Sequence, residues 1–172
     1  SKWIEVSFKD IAPNRESERS VSFKDPRFPH LNFYGKIDLT ERFPGGEVAV
    51  TDFKTGSSKT SGGIEKLDDE NRLSSFMRQL AMYSYLVQGS DKKEVISSKL
   101  YFLESKEGDK NMIYATRVGE EQIDLLVRDI ADYDKLLKSG EWTERPCNAK
   151  QYGGGDECEH CKLAREIYKK RE

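Results

Sequence analysis

The chain has 172 residues, enough for one compact domain with a substantial core. Charged residues make up 35% and hydrophobic residues 35%, which is polar for a globular domain but too apolar, and too well patterned, for a disordered one. With 29 Lys and Arg against 31 Asp and Glu the net charge is −2, which excludes attachment to nucleic acid or membrane by bulk positive charge alone.

The chain opens on Ser1 and runs at once into Trp3-Ile4-Glu5-Val6-Ser7-Phe8, an apolar–polar alternation that predicts a half-buried strand over 3–9. A start without Met points to a piece excised from a longer protein. Residues 11–30 hold Pro13, Pro26 and Pro29 among many charges, and read as loop with one edge strand over 20–23. A strand follows over 31–41, with Leu31, Phe33, Gly35, Ile37 and Leu39 on one face. Pro44-Gly45-Gly46 turns the chain into a second strand over 47–54, where Val48, Val50 and Asp52 alternate. The two strands form a hairpin.

Residues 56–69 are Gly-, Ser- and Lys-rich and predict a surface loop. Leu73, Phe76, Met77, Leu80, Ser84 and Val87 follow helical spacing, so a helix is expected over 70–87, with Gly89 ending it. A strand pair over 95–104 and 111–118 flanks Glu107-Gly108-Asp109. A long amphipathic helix follows over 119–139, with Ile123, Leu126, Val127, Ile130 and Leu137 on one side and Gly140 as its stop. The tail from 140 holds the cysteines and a short basic helix from about 162. This order predicts a single α/β (α+β) domain over 1–172: a central mixed sheet flanked by helices, with residues 140–172 as its cysteine-bearing tail. No apolar run approaches the roughly 18 residues of a membrane span, and no signal peptide opens the chain, so no membrane partner is expected. Three cysteines are the wrong number for a disulfide scaffold and favour a reducing, cytoplasmic setting.

The chemistry concentrates in Gly35-Lys36-Ile37-Asp38 and Val50-Thr51-Asp52-Phe53-Lys54-Thr55-Gly56. Asp38 and Asp52 lie near the ends of neighbouring strands, where a hairpin brings their carboxylates to one end of the sheet. Two carboxylates and a free carbonyl suit a hard divalent cation such as Mg²⁺. Lys54, two residues from Asp52, projects from the same strand face and sets an ammonium beside that cation, where it can hold a water or offset charge on a phosphate. Against this, Asp-x-Lys is common by chance on strand edges. Gln79 and Tyr83 stand one turn apart on the next helix; Tyr83 reads equally as a core-edge aromatic or a substrate contact, and the plain alternative for Gln79 is a solvated helix residue.

Gly35-x-Ile37-Asp38, Asp52-Phe53-Lys54-Thr55-Gly56 and Gln79-x-x-x-Tyr83 together resemble the successive motifs of RecB-type nucleases of the PD-(D/E)XK superfamily, which includes the nuclease domains of RecB and AddB helicase–nucleases. The resemblance spans residues 30–90. It implies a restriction-endonuclease-like core in which Asp38, Asp52 and the main-chain carbonyl of Phe53 bind a catalytic Mg²⁺ or Mn²⁺. Lys54 would activate the attacking water, and Gln79 and Tyr83 would support Lys54 or contact the nucleic-acid backbone. The family often carries a further His or Glu ligand on a helix before the first strand. His30, in a Pro-flanked loop, and Glu5, in a strand, do not match it.

Cys147, Cys158 and Cys161 form a C-x10-C-x2-C arrangement. Several RecB-like nucleases end in a C-x2-C-x5-C run that holds an iron–sulfur cluster. Cys158 and Cys161 match that run, but Ile167 stands where its last cysteine would be. Cys147 and His160 could complete a Zn²⁺ site instead, and a degenerate site with free thiols is an equal alternative.

The expected function is therefore a Mg²⁺- or Mn²⁺-dependent deoxyribonuclease of exonuclease type, acting on single-stranded DNA in repair and recombination. Helicase domains of the same or a partner chain are its expected companions. Lys59, Lys66, Arg72 and Arg78, near the catalytic strand, are candidate DNA contacts, although each alone reads as a solubilising charge. The competing expectation is a catalytically silent nuclease-fold module that binds DNA or a helicase.

Overall fold

A computed structural model describes residues 14–106, 108–141, 147 and 157–169; the strand expected over 3–9 lies outside them. Strands β1 (Asn14–Phe23), β2 (Phe33–Arg42) and β3 (Val48–Lys54) are followed by helices α1 (Ser61–Glu65) and α2 (Ser75–Asp91). Strands β4 (Val95–Phe102) and β5 (Ile113–Thr116) and helices α3 (Glu120–Ser139) and α4 (Glu159–Lys169) complete the order. The strands form one mixed sheet in sequence order: β1, β2 and β3 are antiparallel neighbours, β3 pairs parallel with β4, and β5 returns antiparallel. The parallel step uses α2 as its crossover, as such a connection requires. The chain divides into two compact units, Ser1–Val127, which carries the sheet, and Arg128–Glu172.

The α/β class and the central mixed sheet agree with the sequence expectation; the differences are local. β1, the outermost strand among the described residues, is ten residues long rather than four, because its outer half, Asn14–Glu18, is exposed and polar and shows no apolar alternation. Within the expected loop 56–69, Thr60 caps the short α1 by accepting from Gly63 N. α2 begins at Ser75 rather than 70. The Asp68 carboxylate takes the amides of Glu70 and Arg72 into a turn, and Ser74 supplies the cap by accepting from Met77 N at 3.1 Å.

Gly89 does not end α2, which runs to Asp91 and closes on Lys92 in the left-handed conformation. A Cβ on Gly89 would lie 2.4 Å from the Phe23 ring, so glycine here lets β1 approach the helix. Gly89→Ala would raise intrinsic helix propensity by roughly 1 kcal/mol, yet it is expected to destabilise the fold by about 1–3 kcal/mol through that collision. The reading is a lower urea midpoint at unchanged slope; an equal or higher midpoint would contradict the packing.

The core facing α2 joins Val21, Ile37, Val48 and Val50 from the sheet to Tyr83, Leu86 and Val87. Asp91, badly placed for the helix dipole at a C-terminus, is offset by Arg19 at 2.7 Å and Arg42 at 3.2 Å, which tie α2 to β1 and β2. At the other end of β1, the buried Asp25 carboxylate takes the Arg27 amide and guanidinium and the Tyr85 hydroxyl. Its pKa is held at about 2, chiefly by the Arg27 hydrogen bond and against the opposing effect of burial. A carboxyl lowered from 3.8 in the folded state stabilises it above about pH 4, and that contribution fades as pH falls towards 2. Asp25→Asn is therefore expected to lower the urea midpoint at pH 7, with the gap from the parent protein closing between pH 4 and 2. A gap that is constant with pH would contradict the pairing.

Candidate active site

β3 is buried on both faces over its first five residues, and its last two, Phe53 and Lys54, emerge at the end of the sheet. Alternation sends Val48, Val50, Asp52 and Lys54 towards α2 and Phe53 to the opposite face, where its exposed ring lies 5.9 Å from that of Tyr101. The α2 face is where Gln79 and Tyr83 wait, one turn apart.

Asp38 reaches this place through an irregularity in β2. Ile37 is fully buried in the core against α2, yet Thr40, not Leu39, stands opposite Val50 and shares its side. The period-2 alternation therefore slips between 37 and 40. Across the ladder the β1–β2 register is the same at Ser17–Leu39 and Arg19–Ile37, but the Glu18–Asp38 position between them is left out of the pairing, and Glu18 carries a left-handed φ of 52°, uncommon for a non-glycine residue. The β2–β3 ladder ends at Leu39–Thr51, so Asp38 and Asp52 stand at the next position along. There the Asp38 side chain replaces the main chain: its Oδ2 accepts from Phe53 N at 2.8 Å. Because the N–H and C=O of one strand residue point to the same flank, the Phe53 carbonyl is turned towards Asp38 as well.

Asp52 is buried, with its side chain only 4% exposed. Its Oδ1 accepts from Gln79 Nε2 at 2.7 Å and from the Tyr83 hydroxyl at 3.1 Å. The Lys54 ammonium lies 2.8 Å from Oδ2 but off its hydrogen-bonding direction, so Oδ2 is neutralised by charge and accepts no hydrogen bond. Lys54 also donates to Gln79 Oε1, so the Gln79 amide is clamped between the ammonium and the carboxylate. Burial pushes the Tyr83 phenol up to about 12, and the charges of Asp52 and Asp38 add to that shift; the hydroxyl stays protonated at neutral pH and remains a donor to Asp52.

The donor set suits a hard divalent cation: a half-buried carboxylate, a buried carboxylate with one oxygen lacking a hydrogen bond, and a carbonyl on the same flank, all oxygen. The structure thus brings together Asp38, Asp52, Lys54, Gln79 and Tyr83. Tyr83, 7% exposed, lies within the core and touches Asp52, which leaves the outer position to Gln79 and Lys54. The candidate DNA contacts are more scattered. Lys59 and Lys66 are exposed on either side of α1, Arg72 pairs with Glu70, and the Arg78 guanidinium donates to Leu73 O at 3.0 Å.

Sequence comparison decides the family. Residues 2–165 match the PD-(D/E)XK nuclease superfamily. The chain belongs to that superfamily. Its mixed five-stranded sheet with flanking helices is the restriction-endonuclease-like fold. No curated protein matches the chain. Among solved structures it is similar to SSO0001, at 18% identity and a TM-score of 0.45 over 74% of this chain and 54% of that one. It is also similar to a protein of Eubacterium rectale named provisionally as an exonuclease, at 14% identity and a TM-score of 0.48 over 82% and 50%. The chain thus spans about half the length of the solved structures it matches.

In the second unit the Cys147, Cys158 and Cys161 sulfurs all lie within 4.8 Å of one another. The exposed His160 is not part of that group, so the fourth ligand expected at a zinc site is not brought in by this residue. Cys158 N donates to Cys147 Sγ at 3.2 Å and Cys161 N to Cys158 Sγ at 3.4 Å. The Cys161 thiol is pushed up to about 11, first by its hydrogen bond to Cys158 and then by Cys147. Three converging sulfurs with amide donors form a soft donor set, which suits zinc or an iron–sulfur centre. Among the described residues no helix is long and apolar enough to cross a membrane.

Proposed function

We propose that this chain is a divalent-metal-dependent deoxyribonuclease that hydrolyses phosphodiester bonds in single-stranded DNA, working from strand ends during repair or recombination. The observation that carries the proposal is the buried Asp52: one oxygen is fixed by Gln79 and Tyr83, the other lacks a hydrogen bond and has the Lys54 ammonium 2.8 Å away, and the Asp38 carboxylate is held on the amide of the next residue, Phe53. Asp38, Asp52 and the Phe53 carbonyl would hold Mg²⁺ or Mn²⁺. That ion, when bound, would supply charge neutralisation at the phosphate and acidify a coordinated water. Lys54 holds the attacking water and offsets charge on the non-bridging oxygens. Gln79 keeps the lysine turned towards Asp52, and Tyr83 fixes the carboxylate from below.

The motif order 38, 52–56, 79–83 resembles that of nucleases joined to helicases, so we place helicase domains of the same or a partner chain beside this one, in the cytoplasm. Lys59, Lys66, Arg72 and Arg78 are its candidate backbone contacts. The three thiols hold a soft metal that staples the tail, in a structural role. Labelled single- and double-stranded DNA and RNA of one sequence, incubated with Mg²⁺, Mn²⁺ or EDTA, test the whole. Metal-dependent shortening of the single-stranded DNA is expected. Intact strands in both metals would contradict the enzymatic proposal and favour the silent, DNA-binding alternative.

A further inference from the structure

We infer that Phe76 is a specificity residue, a stacking surface for an unpaired base next to the scissile phosphate; this rests on the nuclease proposal and deepens it. Phe76 belongs by spacing to the apolar stripe of α2. Its stripe neighbours Leu73, Met77 and Leu80 are 3%, 5% and 0% exposed, as core residues should be. Phe76 alone among these four remains half-buried. Its position in the first turn of α2 sets it one turn before Gln79, on the face shared with Asp52 and Lys54. The ring centroid lies 5.9 Å from the Lys54 ammonium. It is anchored edge-on by the fully buried Phe102, with centroids 5.9 Å apart and planes at 71°.

The consequence follows from distance. A phosphate contacted by Lys54 has its own nucleoside within one residue's reach of this ring. A flat apolar surface held rigid by a core aromatic, yet left partly open to solvent, is what an unpaired base needs in order to stack, and it works for any base because every base has a π face. Bases within a duplex are already stacked on their neighbours and cannot use it. Phe76 therefore favours single strands and frayed ends. Phe53, the more exposed aromatic, is excluded from this role because its side chain leaves the opposite face of the sheet.

The test compares a single-stranded thymidine oligonucleotide with an abasic strand of equal length and charge. Binding to the full chain is followed by fluorescence anisotropy with Ca²⁺ in place of Mg²⁺. The parent protein is expected to bind the intact strand about tenfold more tightly than the abasic one. Phe76→Leu, which keeps apolar volume in the stripe, should bind the two strands alike, and Phe76→Trp should restore the preference. Thermal melting of each variant checks that the fold is retained. The proposal is overturned if Phe76→Leu keeps the tenfold preference, because stacking then lies elsewhere. It is equally overturned if that variant weakens both strands by one factor, because the ring then acts only by holding the Lys54 ammonium. A parent protein that cleaves single strands but binds intact and abasic strands alike removes the stacking role and leaves the nuclease proposal standing. A parent protein that binds neither strand removes both.

Discussion

Lys54→Ala is expected to lower metal-dependent cleavage by about a thousandfold or more, nearly all of it in kcat, with the thermal transition shifted by only a few degrees. The Lys54 side chain is 25% exposed and is held by two polar contacts, to Asp52 Oδ2 and to Gln79 Oε1. Lys54 is not one of the buried core residues, so its truncation removes polar contacts rather than core packing. It does remove the cation that faces the buried carboxylate at 2.8 Å, and with it the group proposed to hold the attacking water. The same geometry has a second consequence: the ammonium competes with a divalent ion for Asp52 Oδ2. Lys54→Ala should therefore bind Mn²⁺ at least as tightly as the parent protein while failing to cleave. Cleavage within tenfold of the parent would remove Lys54 from the mechanism.

Gln79→Glu is expected to cost about a hundredfold in activity although it changes one atom. The Gln79 amide is used at both ends: its Nε2 donates to Asp52 Oδ1 at 2.7 Å, and its Oε1 accepts from Lys54. A glutamate keeps the acceptor and turns the donor into an oxygen facing a buried carboxylate. The two acids repel, and one of them takes up a proton or moves away. Either outcome disturbs the oxygen that Tyr83 also fixes. Activity within threefold of the parent, measured by the initial rate of oligonucleotide shortening, would mean that the Gln79 bridge between Asp52 and Lys54 is dispensable for cleavage.

Much of this site was legible because its spacing is short-range. Asp52 and Lys54 share a face in any β3 strand, and Gln79 and Tyr83 share one in any helix, so their pairing needs only the two periods of secondary structure. The role of Asp38 was not legible in the same way. Strict alternation would put it on the face opposite Ile37; it reaches the site because β2 slips beside Glu18, a residue twenty positions upstream whose left-handed conformation has no sequence signal of its own. Its place near the end of a hairpin strand, together with the family motif and not its period, singled out Asp38. Gly89 shows the same limit: as a symbol it reads as a helix stop, whereas its missing Cβ makes room for Phe23 from another element. Phe76 escaped notice as a site residue because it fits the apolar stripe; only the packing, with Phe102 behind it and Lys54 in front, separates it from its buried neighbours. The cysteines were legible as a metal-like spacing, and the separation of His160 from the thiol group was not.

The central claim is that Asp38 and Asp52 hold one cation between neighbouring strands. Calorimetric titration of Mn²⁺ into the parent protein, Asp38→Asn and Asp52→Asn tests it most directly, with the thiol site kept apart by repeating each titration on a background of Cys158→Ser. The expected result is a saturable site in the parent protein whose affinity falls at least tenfold in each single variant and which remains when Cys158 is replaced. Three superimposable titrations would contradict the claim.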